Sequence, residues 1–330
     1  MSPALAVPTI DIGPFLDGDV EAMRTIGAQV AQTCERTGFL IISGHRFPAD
    51  LLARAKRALF EFFDLPGETK NRWRPSGPSK QRGYHGFATR GLAYTLGQQT
   101  PPDLRETVFL GPIDDHRAHY AGLPEAATSY APNLIPSEPP GLDATLVAVY
   151  RAYERLAVDM LRVFAAALRL PENFFAGTLA RHFSILSCHL YPALTEAPLP
   201  GQLRTGAHTD FGAMTILAAT DAEGGLEVRL PDGAWAAVQP RVGEFVVNLG
   251  DMMARWTNGR WASTLHRVVN PPLAMAHSRR LSIGLFVHPN YDQQITCVPT
   301  CLAAGEQPRY PPISAGEHIR RKIERSHAGP

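Results

Sequence analysis

Gly206-Ala207-His208-Thr209-Asp210-Phe211-Gly212 is the stretch around which the rest of the chain is organised. It places the imidazole of His208 and the carboxylate of Asp210 two residues apart. Because side chains alternate across an extended strand, residues two apart point to the same face. A single metal ion can therefore bind both side chains, and the stretch predicts a metal site on a β-strand.

A third candidate ligand lies further along the chain, at His266 in Ser263-Thr264-Leu265-His266-Arg267-Val268. Two imidazoles and one carboxylate hold Fe(II) in non-haem oxygenases and leave neighbouring coordination positions open. We therefore expect His208, Asp210 and His266 to be metal ligands and catalytic residues. A His-x-Asp pair alone is weak evidence, because such pairs also occur in solvated loops.

Composition and charge narrow the class of protein. Of the 330 residues, 45% are hydrophobic and 19% are charged, so the chain can bury a large core. The 32 basic and 31 acidic residues give a net charge of +1, which favours neither a nucleic-acid partner nor an anionic membrane. We expect one globular body that acts on a small molecule as a monomer or weak homo-oligomer.

The sequence also gives an expectation for the cellular compartment. Met1 to Phe15 lacks the features of a signal peptide, and no apolar run is long enough to span a bilayer. The four cysteines include no CxxC pair, and reduced thiols are their ordinary state in a cytosol. We therefore expect a cytoplasmic protein.

Hydrophobic periodicity separates a helical first half from a strand-rich second half. Apolar residues at steps of three and four predict helices over 20–37, 49–63 and 142–168, and short apolar runs predict strands over 7–12 and 39–42. Beyond the third helix, turn residues separate short apolar segments at 183–190, 214–219, 225–230, 245–249, 264–269 and 281–288. This pattern predicts an all-β sandwich or barrel.

Ordered motifs extend over nearly the whole chain. The first half contains Val7-Pro8-Thr9-Ile10-Asp11, Thr37-Gly38-Phe39, Phe63-Asp64-Leu65-Pro66, Arg82-Gly83-Tyr84 and Asp103-Leu104-Arg105-Glu106. The second half contains His208-Thr209-Asp210, Asn248-Leu249-Gly250-Asp251, Thr257-Asn258-Gly259, His266-Arg267-Val268 and Arg280-Leu281-Ser282. Taken together, these motifs resemble the isopenicillin N synthase-like family of Fe(II)- and 2-oxoglutarate-dependent dioxygenases.

The resemblance implies a fold that is mainly β with α. Its core would be a double-stranded β-helix, or jelly roll, wrapped by N-terminal helices. We expect residues 1–175 to form the N-terminal helical and strand module and residues 176–330 the jelly-roll core, within one integrated body.

Arg280 and Ser282 are two residues apart on a predicted strand, so both can reach one carboxylate, which the planar guanidinium pairs bidentately. The resemblance implies that this is the distal carboxylate of 2-oxoglutarate and that the hydroxyl of Tyr191 approaches the same cosubstrate. Family members that use no 2-oxoglutarate hold their substrate's carboxylate with the same Arg-x-Ser pair. The implied cofactors are Fe(II), 2-oxoglutarate and O2.

Four residues are candidates for the substrate pocket: Phe211, Phe286, His189 and Arg204. Three of them also have ordinary interpretations, because His189 and Phe286 suit a core and Arg204 suits a solvated loop. The loop-rich region 71–140 is expected to carry much of the substrate specificity.

The resemblance implies oxidation, by default hydroxylation, of an unactivated C–H bond of a small molecule, with release of succinate and CO2. Two alternatives use the same ligands. An isopenicillin N synthase-type oxidase would consume oxygen without a keto acid, and a non-catalytic metal or small-molecule binder would turn over nothing. Metal analysis and succinate release distinguish the three.

Overall fold

A computed structural model describes residues 7–77, 81–89, 91, 100–218 and 225–327. Its helices are α1 (Gly13–Leu16), α2 (Val20–Arg36), α3 (Ala49–Phe63), α4 (Gly67–Asn71), α5 (Leu142–Ala167), α6 (Asp251–Trp256) and α7 (Ala315–His327). The three predicted helices are confirmed as α2, α3 and α5, with ends that agree to within one residue. Within the described ranges, none of the helices has the length and apolarity needed to cross a membrane.

The strands are β1 (Thr9–Asp11), β2 (Phe39–Ser43), β3 (Gly83–His85), β4 (Glu106–Leu110), β5 (Ile185–Tyr191), β6 (Thr205–His208), β7 (Met214–Ala218), β8 (Leu226–Arg229), β9 (Trp235–Ala237), β10 (Phe245–Leu249), β11 (His266–Val268), β12 (Arg280–Val287), β13 (Gln294–Ile295) and β14 (Ile313–Ser314). Each predicted strand segment overlaps one of them. The apolar runs give no signal for β6, which carries the first metal-ligand candidate, and only the spacing of His208 and Asp210 predicts a strand there.

Two sheets form the core of the fold. The larger has the strand order β1-β2-β10-β7-β12-β5-β4-β3, and the smaller has the order β6-β11-β8-β9. Non-consecutive neighbours in both sheets give the jelly-roll arrangement that was expected. The large sheet pairs strands from both halves of the chain, and the division at residue 175 stays a prediction.

Strand alternation gives the large sheet two different faces. Leu40 and Ile42 of β2 join the helices α2, α3 and α5 in the larger hydrophobic core. Phe39 and Ile41 of the same strand point the other way, into a smaller core that includes Val228 of the small sheet. Each fully buried side chain of this kind contributes about 1.5–3 kcal/mol, so both layers hold the sheets in place. The metal-ligand candidates lie between the two sheets.

Region 71–140 holds β3 and β4 at the edge of the large sheet, and part of it lies outside the described residues. Within it, Glu106 accepts a hydrogen bond from Lys70 Nζ at 2.7 Å and another from the hydroxyl of Tyr84. Both the Lys70 and the Glu106 side chain are close to nine-tenths buried. Two of the family-like motifs, Arg82-Gly83-Tyr84 and Asp103-Leu104-Arg105-Glu106, therefore meet across this strand pair.

Candidate active site

Adjacent antiparallel strands bring the two histidine candidates together. His208 is the last residue of β6, His266 is the first residue of β11, and the two are direct partners in the strand register. Their ring centroids are 4.3 Å apart. Asp210 lies two residues beyond the end of β6, so its predicted position within a strand is wrong.

Backbone contacts explain why β6 stops before Asp210. The carbonyl of Asp210 accepts a hydrogen bond from the backbone N–H of Asp251 at 2.8 Å, and that of Gly212 accepts one from Met252 at 3.0 Å. The approach is very close, because a Cβ atom on Gly250 would overlap the Gly212 oxygen. The segment after His208 therefore turns away from the sheet ladder to pack against the start of α6.

The turn places the carboxylate of Asp210 beside both imidazoles. Asp210 Oδ1 is 3.6 Å from Nε2 of His208 and 3.7 Å from Nε2 of His266. In the part of the chain that the structure describes, this is the one group of three or more His, Cys, Asp or Glu residues whose ligand atoms all lie within 4.8 Å of one another. Two imidazoles and one carboxylate at these separations fit a single divalent ion such as Fe(II).

Hydrogen bonds fix the tautomers of both histidines. Nδ1 of His208 lies 2.8 Å from the carbonyl oxygen of Gly206, and Nδ1 of His266 lies 3.0 Å from that of Thr264. A carbonyl oxygen only accepts, so each Nδ1 carries the proton and each Nε2 presents a lone pair. Both lone pairs are on the nitrogens nearest Asp210.

The second carboxylate oxygen of Asp210 is occupied by the protein. Asn248 Nδ2 donates a hydrogen bond to Oδ2 at 2.7 Å, and the hydroxyl of Thr215 donates another to the same atom. Asp210 therefore offers a metal one free oxygen, Oδ1. These two supporting residues were not predicted, although Asn248 stood within one of the family-like motifs.

Burial and neighbouring groups set the charge of the ligands. Burial, with a contribution from the nearby His266, lowers the pKa of His208 to about 3. Burial alone would raise the pKa of Asp210, but the two imidazoles and the hydrogen bonds from Thr215 and Asn248 lower it overall. At neutral pH the site thus offers a neutral His208 and an anionic Asp210, which suits a cation.

Arg280 and Ser282 lie on β12, which pairs with β7, the strand that carries Thr215. Their partners across the strand pair are Tyr191 and His189 of β5, respectively. Arg280 is 5% exposed, and its Nε and Nη1 have no hydrogen-bond partner within the described ranges. Buried donors are nearly always satisfied, so these two atoms and the buried Ser282 hydroxyl fit a bound carboxylate.

Tyr191 and His189 occupy the same face of β5. The hydroxyl of Tyr191 is 3.2 Å from Oγ1 of Thr205, and the Arg280 guanidinium carbon is 5.3 Å from the Tyr191 ring centroid. Nδ1 of His189 lies 2.9 Å from the hydroxyl of Thr107. Burial, assisted by nearby cations, lowers the pKa of His189 far below its ordinary value, so this imidazole is neutral.

The remaining candidates lie in different surroundings. Phe286 is half-buried and lies on the same face of β12 as Ser282. Phe211 is also half-buried, and Nζ of Lys322 lies 5.7 Å from its ring centroid. Arg204 is 0% exposed, so the solvated-loop alternative for it is wrong. Its guanidinium carbon lies 5.8 Å from the centroid of the Tyr191 ring, which the Arg280 guanidinium also approaches.

Two family models match separate parts of this chain. Residues 7–138 match the family described as non-haem dioxygenase in morphine synthesis N-terminal. Residues 181–289, which contain both histidine ligands, Arg280 and Ser282, match the 2OG-Fe(II) oxygenase superfamily. The second match therefore includes the whole metal site.

Individual relatives agree with these matches. The 2-oxoglutarate-Fe(II) type oxidoreductase hxnY of Emericella nidulans is 34% identical over 325 residues, covering 98% of this chain and 90% of the relative. The validamycin A dioxygenase of Streptomyces hygroscopicus subsp. limoneus is 31% identical, covering 96% of this chain and 86% of the relative. A full-length Neurospora crassa protein, crystallised in complex with alpha-KG and thymine, superposes with a TM-score of 0.84 at 28% identity, covering 98% of each chain. The chain belongs to the 2OG-Fe(II) oxygenase superfamily and is a non-haem Fe(II)- and 2-oxoglutarate-dependent oxygenase.

Proposed function

We propose that this oxygenase hydroxylates an unactivated C–H bond of a small molecule. Substrate, O2 and 2-oxoglutarate would be converted to hydroxylated product, succinate and CO2, with one oxygen atom in the product and one in succinate. The proposal rests on the three-residue ligand group together with the buried donors of Arg280 that have no hydrogen-bond partner among the described residues. A metal ion bound there would supply the chemistry of dioxygen activation.

The protein groups hold and orient the reactants. His208 and His266 would bind the metal through Nε2, and Asp210 through Oδ1. Because Oδ2 already accepts two hydrogen bonds, Asp210 is held to one metal contact, which leaves coordination positions for the keto acid and dioxygen. Arg280 and Ser282 would hold the distal carboxylate of the keto acid, which fixes its direction towards the metal.

A row of aromatic rings on the inner face of the large sheet favours an organic substrate of modest size. The ring centroids of His189 and Phe109 are 5.8 Å apart, and those of Phe109 and His85 are 5.5 Å apart. This aromatic row extends from β5 through β4 to β3, and Phe286 adds a half-buried ring on β12. Validamycin A, in the name of one relative, and thymine, bound by the Neurospora crassa protein, are both small molecules, which supports a small-molecule substrate for this chain.

A search for products in a metabolite extract tests the proposal. The Fe(II) protein is incubated with 2-oxoglutarate, O2 and the extract, and Asp210→Ala protein serves as the control. We expect products heavier by one oxygen atom, together with succinate, in the wild-type sample alone. Such products without any requirement for 2-oxoglutarate would favour the oxidase alternative, and bound metal without any product would favour the binder.

We also propose that the protein is a cytoplasmic monomer, or at most a weak homo-oligomer, without a nucleic-acid or membrane partner. The net charge of +1 and the four free cysteines support this proposal. Light scattering after size exclusion should give a mass near 36.0 kDa. Cell fractionation should recover the protein with cytosolic markers, and recovery with membranes or in the periplasm would contradict it.

A further inference from the structure

Two buried guanidinium groups flank one phenol ring at the cosubstrate end of the site. The guanidinium carbon of Arg280 is 5.3 Å from the ring centroid of Tyr191, and that of Arg204 is 5.8 Å from it. Arg204 is 0% exposed and Arg280 is 5% exposed. Neither arginine is therefore a solvated surface residue.

The backbone ties the two arginines to each other. Arg204 immediately precedes β6, and its Nη2 donates a hydrogen bond to the carbonyl oxygen of Ser278 at 2.9 Å. Ser278 lies two residues before Arg280. In addition, Thr205, the next residue after Arg204, is 3.2 Å from the Tyr191 hydroxyl. The position of Arg204 is thus set by the same segments that present Arg280 and Tyr191.

The guanidinium groups of Arg204 and Arg280 both carry a positive charge. Burial and, secondarily, the positive charge of Arg280 lower the pKa of Arg204 to about 10. Arg204 is still protonated at neutral pH, so both positive charges persist in a buried place. Both cations approach the same Tyr191 ring, so a carboxylate placed against Arg280 would also bring a negative charge towards Arg204 and offset part of the desolvation of both groups.

A dicarboxylic keto acid has an anionic group in that place. One carboxylate and the keto oxygen would face the metal, and the distal carboxylate would face Arg280 and Ser282. A keto acid of the same length without the distal carboxylate would bring no negative charge to the two arginines. The arrangement therefore favours the dicarboxylate over its monocarboxylate analogue.

We propose that Arg204 is a second cationic positioning residue for the distal carboxylate of 2-oxoglutarate and makes the site selective for dicarboxylic keto acids. The inference rests on the proposed use of 2-oxoglutarate and adds a residue to it. Nothing in the Arg-x-Ser motif implies this role, because Arg204 lies on a different segment of the chain, immediately before β6.

Two ligands separate the charge effect from a packing effect. The ligand 2-oxopentanoate has the carbon chain of 2-oxoglutarate with a methyl group in place of the distal carboxylate. Anaerobic calorimetric titration of Fe(II)-loaded protein measures the affinity for each ligand without turnover. We expect Arg204→Met to weaken 2-oxoglutarate binding about tenfold, the lower end for a charge-assisted contact, and to leave 2-oxopentanoate binding within about twofold.

Two further variants complete the design. Arg279→Met removes a neighbouring arginine whose partner is Asp64, at 2.8 Å, and should change neither affinity. Arg204→Lys keeps the charge and should weaken 2-oxoglutarate binding less than Arg204→Met does. If the Met variant fails to fold, the Lys variant still decides the question, because loss of the planar fork should weaken 2-oxoglutarate binding more than 2-oxopentanoate binding.

The outcomes are distinct. Equal weakening of both ligands by the Arg204 variants, or no weakening of either, would overturn the role of Arg204 while leaving the use of 2-oxoglutarate intact. Absence of 2-oxoglutarate binding by the wild-type Fe(II) protein would overturn the proposed function itself, and the inference with it.

Discussion

Asn248 donates a hydrogen bond from Nδ2 to Oδ2 of Asp210 at 2.7 Å, and the other carboxylate oxygen is thereby directed towards the two imidazoles. Asn248 of β10 is the register partner of Thr215 of β7, which donates to the same oxygen. The large sheet therefore orients a ligand that lies outside any strand.

This relationship predicts a loss of metal affinity in Asn248→Ala. Without the amide, Asp210 keeps its charge but loses half of its orienting contacts, and partners of this kind typically contribute 10–100-fold, so we expect a loss of about tenfold or more. Competition titration with Fe(II) measures the metal affinity of each protein. Asn173→Ala, at an exposed position, is the matched control, and equal metal affinity in the two variants would show that the hydrogen bond does not orient the ligand.

The ligand assignment predicts that His208→Ala, Asp210→Ala and His266→Ala each abolish turnover. Each change removes one of only three protein contacts to the metal, while packing between the sheets remains. Succinate release measures turnover, and thermal unfolding checks that the fold is retained. Wild-type activity in any one of the three variants would remove that residue from the metal site.

A third prediction concerns Arg280→Lys. One ammonium group cannot reproduce the planar fork, and a lost charge-assisted hydrogen bond costs about 1.5–3 kcal/mol, so the KM for 2-oxoglutarate should rise about tenfold or more. Steady-state kinetics with varied 2-oxoglutarate measure the change. Turnover without any requirement for 2-oxoglutarate, with a collapse in substrate affinity in Arg280→Lys, would instead support the oxidase alternative.

A fourth prediction concerns the pH dependence of stability and rests on His318 of α7. Burial lowers the pKa of this histidine from 6.5 to about 4, with smaller effects from Asp251, Lys322 and Arg255. The unfolded state therefore binds the proton first, and stability is lost as pH falls from about 6.5 towards 4. The loss attributable to His318 should approach about 3 kcal/mol, at about 1.4 kcal/mol for each pH unit between the two pKa values.

Urea unfolding at pH 7 and pH 4.5 measures this effect. His318→Gln cannot take up a proton, so its stability should fall less between the two pH values than that of the wild type. His277→Gln replaces an exposed histidine and should follow the wild-type dependence. Parallel pH dependences for the wild type and His318→Gln would contradict the assignment.

The residues expected to bind the metal and the keto acid can be predicted from the sequence more readily than the residues that orient them. His208, Asp210 and His266 stood out because few residue types bind iron, and the paired spacing of Arg280 and Ser282 on a strand suggested a shared carboxylate. Asn248 and Thr215 lie far apart in the chain and meet at Asp210 only through the register of β10 and β7. Register depends on packing across the whole sheet, which a local motif does not specify.

Predictions made from the local sequence were also wrong where tertiary contacts determine the position of a residue. Asp210 was placed on a strand by alternation, but the backbone contacts with Asp251 and Met252 turn the chain there. Arg204 had the sequence surroundings of a loop residue, yet the ring of Tyr191 and the carbonyl of Ser278 provide it with a buried place. The long helices α2, α3 and α5 were predicted well, because many regularly spaced apolar residues define each of them.

Anaerobic titration of the Fe(II) protein with 2-oxoglutarate, followed by addition of oxygen, is the most direct test of the central claim. The family resemblance leads us to expect a weak visible charge-transfer band as the keto acid chelates the metal. Oxygen should then bleach the band and release succinate in proportion to the iron present. The Asp210→Ala protein should show neither the band nor succinate release. If no band appears and no succinate forms, even with a broad panel of small molecules present, this protein does not use 2-oxoglutarate.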